Sequence, residues 1–281
     1  MTDTHSCSHF GEFMYFLSFE TSTKVFSLAL NKDEKVLRFR NLKSALVLED
    51  SIIPAVDKIL DSVGIDFNQV DGFAIALGPG SFTSLRVGLS TIKAFALGTG
   101  KPVVGVPSLD IIAYGIQHLS FPNASIGNPG NKFDKYDEIC VINDARRGKV
   151  YACLYGPQGR LSDYLLTTLD DVLEKVHGKT LFTGDALGIC RSTIEEAYQK
   201  HVLNESSTCK CLFADEKYWF PQAKVMAALA YERFRNKRYD NAANLLPLYL
   251  YPQDCQVTLP TAGSSPNALI RDPKKNNTYG R

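Results

Sequence analysis

The sequence has little of what metal and phosphate chemistry usually require. It contains only five histidines in 281 residues, and its seven cysteines include no Cys-x-x-Cys pair. Thirty-one basic residues balance thirty acidic ones, so the net charge of +1 provides no overall field that would hold a nucleic acid. A role on RNA would therefore need a local basic patch or a partner.

Long apolar runs are also missing. No stretch approaches the roughly 20 apolar residues of a membrane helix, and the polar residues 1–14 lack the apolar core of a signal peptide. An odd number of cysteines without close pairing is typical of a reducing compartment. We therefore expect a cytoplasmic protein that makes no membrane contact.

The two ends of the chain are poor in large apolar residues. His5, Cys7 and His9 are close enough in sequence to bind a metal ion, but no further ligand follows nearby. We interpret residues 1–13 as a disordered tail rather than a metal site. Residues 261–281 are predicted to be disordered for the same compositional reason.

The most informative stretch is residues 73–98. Phe73–Leu77 is an unbroken apolar run, typical of a strand that is buried on both faces. A Gly-Pro-Gly turn ends this strand, Ser81 is placed to cap a helix over Phe82–Leu97, and Gly98 is the expected C-cap. Glycine turns before helices can bind phosphate, but the lysine of a Walker loop and a third spaced glycine are missing. A tight strand-to-helix connection is therefore favoured.

Two strand-turn-strand segments repeat along the chain. The first has predicted strands at Tyr15–Glu20 and Val25–Leu30, and the second at Glu138–Ile142 and Lys149–Tyr155. This weak internal duplication favours an α/β fold of two lobes, each with a mixed sheet flanked by helices. The turns themselves contain the polar residues Glu20, Ser22, Asp144, Arg146 and Arg147.

The chemistry of these turns leaves two interpretations open. Arg146 and Arg147 could grip an anion, or they could form a solvated hairpin tip. In the first turn, a side chain at Ser22 would obstruct the close approach of a phosphate. The first turn is thus a poor candidate for a phosphate site.

Two helices are predicted to contribute to a partner interface. The first, over Leu42–Val63 with Pro54 in its middle, has a wider apolar arc than one sheet would cover. On the helix over Phe82–Leu97, Ser84 and Gly88 lie four residues apart and allow another backbone to approach closely. The alternative is that these small residues face the protein's own first helix. The predicted interface residues are Leu46, Ile53, Leu60, Ser84, Leu85, Gly88 and Ile92.

Three segments resemble one protein family. The stretch from Gly78 to Arg86 resembles the Gly-Pro-Gly-Ser-Phe-Thr-Gly-Leu-Arg signature of the TsaB family, with Ser84 in place of the third glycine. The stretch from Asp144 to Tyr151 is similar to the family's Asp-Ala-Arg-Arg-Gly-Glu-Val-Tyr signature, with Lys149 in place of Glu. A late Pro-Leu-Tyr-Leu-Tyr segment resembles its Pro-x-Tyr-Leu-Arg segment, and the whole resemblance covers residues 14–256.

The resemblance implies a two-lobed actin-like or sugar-kinase-type fold, with an N-terminal lobe at 14–106 and a C-terminal lobe at 107–260. It implies a non-catalytic subunit in the synthesis of threonylcarbamoyladenosine in tRNA, which binds and stabilises a TsaD-like transferase. A TsaE-like ATPase joins such complexes, tRNA is reached through the complex, and a homodimer is possible when the subunit is alone.

The same resemblance implies that the protein has no metal or cofactor of its own. ATP, ADP and threonylcarbamoyl-adenylate would be handled by the partner subunits. Glu20 and Ser22, together with Asp144, Arg146 and Arg147, would then be degenerate nucleotide loops.

Two other functional classes remain open. An actin-like ATPase or kinase would need Asp and Gly in the loop positions that Glu20 and Ser22 occupy. A glycoprotease-like metallopeptidase would need zinc ligands such as a helical His-x-x-x-His pair, and the segment Leu42–Val63 contains no histidine.

Overall fold

The structure is a computed structural model that describes residues 14–43, 48–119, 136–204 and 210–251. The predictions for the tails 1–13 and 261–281 and for Leu46 lie outside the described residues. Two β-sheets belong to one compact unit that ends at Leu250. None of the helices described is both long and apolar enough to span a membrane.

The first sheet has five strands in the order β3-β2-β1-β4-β5. Strand β1 pairs antiparallel with β2 and parallel with β4, so a hairpin stands beside parallel strands that are joined by crossovers. The central strands are buried on both faces, as their apolar runs predicted. The bounds are β1 Tyr15–Glu20, β2 Val25–Lys32, β3 Lys35–Lys43, β4 Gly72–Ala76 and β5 Val103–Val106.

The second sheet repeats the order of the first. Strand β6 pairs antiparallel with β7 and parallel with β10, and β10 pairs parallel with β11. Beyond β7, the short strands β8 and β9 take the place that β3 has in the first sheet. The predicted α/β fold with duplicated mixed sheets flanked by helices is thereby confirmed. The bounds are β6 Glu138–Arg146, β7 Lys149–Gly156, β8 Gly159–Arg160, β9 Leu165–Thr167, β10 Lys179–Thr183 and β11 Lys210–Phe213.

Helices cover the sheets and bury their apolar faces. One face of the first sheet packs against α1 and α2, and α6 packs against the other. The second sheet packs against α4 and α5, and α3 contacts β6 and β7. The bounds are α1 Leu48–Asp61, α2 Phe82–Thr99, α3 Ser108–Leu119, α4 Leu169–Leu173, α5 Leu187–Asn204 and α6 Ala223–Arg235.

Helix α6 lies late in the chain but completes the first sheet. Its buried residues, including Met226, Ala230 and Phe234, pack with Phe16 of β1 and Val104 of β5. This helix lies in the range predicted for the second lobe, but it contacts the strands of the first sheet. The lobe boundary at residue 106 stays a prediction.

Helix α3 connects the two sheets through a carboxylate. The hydroxyl groups of Tyr155 and Tyr164 each donate to one oxygen of Asp110, both at 2.7 Å. Tyr155 belongs to β7 and Tyr164 directly precedes β9, so the start of α3 is tied to the second sheet.

The ends of two helices differ from their predictions. Leu42 and Lys43 belong to strand β3 and pair with Phe26 and Val25, so α1 starts at Leu48 rather than at Leu42. Cross-strand pairing therefore overrides the local helical periodicity there. Helix α2 extends past Gly98 and ends at Gly100, whose φ of 67° is the left-handed conformation of a C-cap.

Candidate functional site

The turn between β4 and α2 packs directly against the turn between β1 and β2. A β-carbon on Gly80 would lie 2.1 Å from the carbonyl oxygen of Ser22, so only glycine fits there. The N–H of Ser81 donates to that same carbonyl oxygen at 2.7 Å. This close contact explains why the second glycine of the Gly-Pro-Gly turn is required. It agrees with the predicted tight connection between the strand and the helix.

Gly88 of α2 faces the protein's own β1–β2 turn. A β-carbon on Gly88 would lie 2.3 Å from Oγ1 of Thr21, and Ser84 is buried one turn earlier. Neither of the two predicted neighbours, a partner helix or the first helix, is what Gly88 meets. At the start of α2, the Ser81 hydroxyl lies 3.0 Å from that of Ser84 and makes no cap hydrogen bond to the helix backbone.

The β1–β2 turn is a closed, buried polar cluster. Glu20 is fully buried, and its Oε1 accepts a hydrogen bond from the N–H of Ser22 at 2.5 Å. Burial raises the pKa of the Glu20 carboxyl to about 7, although the hydrogen bonds from Ser22 oppose the rise. Among the described residues, Oε2 of Glu20 has no hydrogen-bond partner.

Both main-chain polar groups of Ser22 are therefore used inside the protein. Its N–H binds Glu20, and its carbonyl oxygen binds the N–H of Ser81. A phosphate-binding turn instead presents its N–H groups to the ligand. The N–H of Ser22 is thus not free to bind a phosphate, and the loss of nucleotide binding by this turn stays a prediction.

The equivalent turn of the second sheet is open and charged. Oδ1 of Asp144 accepts a hydrogen bond from the N–H of Arg146 at 2.8 Å, and Oδ2 forms an ion pair with its guanidinium at 3.2 Å. The N–H of Asp144 in turn donates to Asp185 at 2.8 Å. Arg146 and Arg147 are both exposed at the hairpin end.

Asp185 is a site residue that the sequence reasoning missed. It follows Gly184, where a β-carbon would lie 2.0 Å from the carbonyl oxygen of Ile142, so β10 turns tightly into α5 beside β6. Burial raises the pKa of the Asp185 carboxyl, and the nearby charge of Asp144 adds to the rise. The Gly184-Asp185 pair after an apolar strand was the available sequence signal.

These turns meet around a cleft of about 620 Å³. Of the predicted loop residues, Ser22, Asp144 and Arg146 line it, whereas Glu20 is buried below and Arg147 is not among the lining residues. The lining also includes the aromatic side chains of Trp219 and Phe220. Its charged residues are Lys24, Arg146, Asp144, Asp185 and Glu216.

The charges that line the cleft do not complement the negatively charged phosphate groups of a nucleotide such as ATP. Two cations, Lys24 and Arg146, stand against three acidic residues, and Arg146 is already paired with one of them. Sites for transferable phosphate groups instead concentrate cations around the oxygens. Within the described ranges, no group of three or more His, Cys, Asp or Glu side chains is placed to hold a metal ion.

Most of the predicted interface residues are buried within the chain. Among those that the structure describes, the exception is Ile53 on α1, whose exposed fraction is 47%. The buried residues cannot meet a partner in this conformation, because α1 and α2 use them to cover the first sheet and the β1–β2 turn. They are Leu60, Ser84, Leu85, Gly88 and Ile92.

Other apolar side chains of α2 are exposed, and one of them, Phe82, also lines the cleft. Phe82 and Leu97 are 56% and 61% exposed, and Tyr249 packs its ring 5.3 Å from that of Phe82. The guanidinium of Arg86 lies 4.9 Å from the Phe82 ring. We refer to Phe82, Arg86, Leu97, Leu246 and Tyr249 as the α2 outer surface.

The chain segment that follows α6 contributes to this surface. Nζ of Lys93 donates to the carbonyl oxygens of Ala243 and Leu245, which fixes the segment along α2. Leu246 comes next in the chain and is 69% exposed. The α2 outer surface is thus formed by two segments far apart in sequence.

A family model described as TsaD, tRNA N6-adenosine threonylcarbamoyltransferase, matches residues 44–272, well over half of the chain. The chain belongs to the TsaD family. Within the TsaD family its relatives include TsaB proteins, and the resemblance to TsaB that the sequence motifs indicated is confirmed.

Two TsaB relatives, both described as tRNA threonylcarbamoyladenosine biosynthesis proteins, show the extent of this similarity. The Haemophilus influenzae protein is 35% identical over 48% of this chain, and the match spans about half, 51%, of that relative's length. The Bacillus subtilis protein is 28% identical over 65% of this chain and 76% of its own length.

A solved structure from Pseudomonas aeruginosa shows the same fold. It is described as an uncharacterized protein with similarity to peptidase YEAZ, and it is 21% identical to this chain with a TM-score of 0.63. The superposition covers 85% of this chain and 100% of that one. At this identity, the likeness establishes the fold that the strand orders already showed.

Proposed function

We propose that the protein takes part in the synthesis of threonylcarbamoyladenosine in tRNA as a non-catalytic subunit that binds a TsaD-type transferase. The observation that carries this proposal is the α2 outer surface, to which α2 and the segment after α6 both contribute exposed apolar side chains. The relatives are named for this biosynthesis, which is why a transferase of the same family is the partner we select.

The closed β1–β2 turn supports the absence of catalysis by this chain. Ser22 uses its main-chain groups to bind Glu20 and Ser81, so its N–H is not available to a phosphate. In this proposal, ATP, ADP and threonylcarbamoyl-adenylate are handled by the transferase and by a TsaE-type ATPase. The protein reaches tRNA as part of that complex.

The composition of the α2 outer surface suits a partner. Aromatic residues and arginine are enriched in interfaces, and here the Phe82 ring contacts both the tilted ring of Tyr249 and the guanidinium of Arg86. Burial of apolar area contributes roughly 25 cal/mol per Å² before the costs of association are subtracted. A second copy of this chain is the competing occupant when no transferase is present.

Co-expression with the TsaD-type transferase of the same organism tests this proposal. A tagged transferase should retain the wild-type chain through affinity capture and size-exclusion chromatography. Phe82→Asp and Leu97→Asp should abolish co-elution, because each puts a charge into an apolar contact, and should leave the melting temperature within about 2 °C because both side chains are exposed.

The matched control is Leu161→Asp, a similarly exposed leucine beside the second sheet, at 62% exposure. It should keep the complex intact. Co-elution of both α2 variants at the wild-type level would contradict the assignment of this surface.

An actin-like ATPase or kinase is the second candidate, and the cleft of about 620 Å³ between the two turns is the observation that favours it. ATP turnover by the purified chain, lost in an Asp185→Asn variant, would establish this second function. We expect no turnover above background, because the first turn is closed by its own hydrogen bonds.

A further inference from the structure

The end of the β6–β7 hairpin carries an arginine where the turn favours another residue. Arg146 and Lys149 are register partners, so Arg147 and Gly148 form a two-residue loop. Both loop residues have positive φ, 54° and 71°, and so does Arg146 before them, at 67°. A long side chain is disfavoured in this left-handed region, which Asn and Gly adopt more readily.

The cations of this hairpin also lie close together. Arg146 and Lys149 face each other across the two strands, and like charges in directly opposite positions destabilise a β-pair. Arg146 is paired with Asp144, but neither Arg147 nor Lys149 forms an ion pair with any residue that the structure describes. All three side chains are exposed, so packing does not account for them.

We propose that this basic tip, defined by Arg146, Arg147 and Lys149, binds the phosphodiester backbone of RNA. The inference rests on the proposed function, because it names the part of this chain that would contact the tRNA held by the complex. Guanidinium forks and ammonium groups suit phosphate oxygens. A bound phosphate would also offset the repulsion between the facing cations.

The position of the tip favours an extended polyanion over a free nucleotide. Arg147 and Lys149 are not among the residues that line the cleft, where a nucleotide would lie. A backbone that passes outside the cleft would meet all three cations in succession. Because the net charge of the whole chain is only +1, such a local cluster is the kind of patch that RNA binding requires.

The test measures binding of unmodified, transcribed tRNA to the assembled complex with the TsaD-type transferase, by fluorescence anisotropy at several salt concentrations. The double variant Arg147→Asn/Lys149→Gln removes two cations. At about 0.8 released counterions per phosphate contact, the slope of log K against log salt should fall by about 1.6, and affinity in 0.15 M salt by about 20-fold.

The matched control is Lys35→Gln/Arg40→Gln, which removes two exposed cations from the edge strand β3. It should keep the wild-type salt slope. Unchanged binding by the tip variant, or an equal loss in the control, would overturn the proposal. So would loss of the complex itself from the tip variant in size-exclusion chromatography, since the tip would then bind protein.

A single substitution separates binding from folding. Arg147→Asn places the favoured residue in the turn, so Tm should rise while RNA affinity falls by about 5-fold in 0.15 M salt. A fall in Tm together with affinity would assign the arginine a structural role and overturn the proposal. If the wild-type chain forms no complex, the proposed function fails, and the same titration on the chain alone decides the role of the tip.

Discussion

The buried Glu20 carboxyl should make the stability of the protein depend on pH. Its pKa is raised from 4.5 to about 7 in the folded chain. Between these two values the folded state keeps the proton and the unfolded state has lost it, so folding takes up a proton. Stability from this group is therefore complete below pH 4.5, falls as the pH rises, and levels off above about pH 7.

The expected loss follows from the size of this rise. At about 1.4 kcal/mol per pH unit, the interval from 4.5 to about 7 corresponds to about 3 kcal/mol in the free energy of unfolding. Glu20→Gln keeps the size and shape of the side chain but does not titrate. The difference in unfolding free energy between wild type and Glu20→Gln should therefore shift by about 3 kcal/mol against wild type between pH 4.5 and pH 8.

Urea denaturation of both proteins across this pH range measures the difference, and titration of all other groups cancels in the subtraction. Glu196→Gln, on the exposed side of α5, controls for the loss of a surface carboxylate. A difference between wild type and Glu20→Gln that stays constant with pH would refute the reasoning, because it would mean that the buried carboxyl is already ionised at pH 4.5.

Three further substitutions test packing and hydrogen bonding by urea denaturation. Gly98→Ala should stabilise the protein by about 0.5–1 kcal/mol, because its β-carbon would meet nothing within 4 Å on helix α2. Gly80→Ala should destabilise the protein by about 3 kcal/mol or more, since the new β-carbon would clash with a backbone carbonyl that cannot move aside easily. Equal effects of Gly98→Ala and Gly80→Ala would contradict the close contact at Gly80. Asp110→Asn should cost about 1–3 kcal/mol, because a neutral amide replaces one of two acceptors for tyrosine hydroxyls, and an unchanged midpoint would show that this link between α3 and the second sheet is dispensable.

Local patterns predicted the strands and their duplication well. The apolar run before Gly78 is the buried strand β4, and the echo between the turns at Glu20 and Asp144 reflects two sheets with the same strand order. Both signals depend on residues that are close in sequence, which is why a pattern could reveal them.

The parts that were wrong depend on contacts between distant segments. Small residues at Ser84 and Gly88 indicate close packing, but the pattern does not say what packs there, and the structure places Thr21 against Gly88. In the same way, Leu42 is the first residue of the predicted helix and yet pairs with β2. Asp185 lines the cleft because turns from two sheets come together there, and the sequence of one segment alone cannot reveal that contact.

The late position of α6 affects how the protein emerges from the ribosome. The strands of the first sheet are complete at Val106, but the helix that covers the face containing Phe16 and Val104 ends at Arg235. At a synthesis rate of about 5–20 residues per second, that apolar face stays exposed for about 6–26 s before α6 has been synthesised. The nascent first lobe is therefore the stage at which we expect chaperones to be needed, and mutations that weaken α6 should lower the yield of protein more than its final melting temperature suggests.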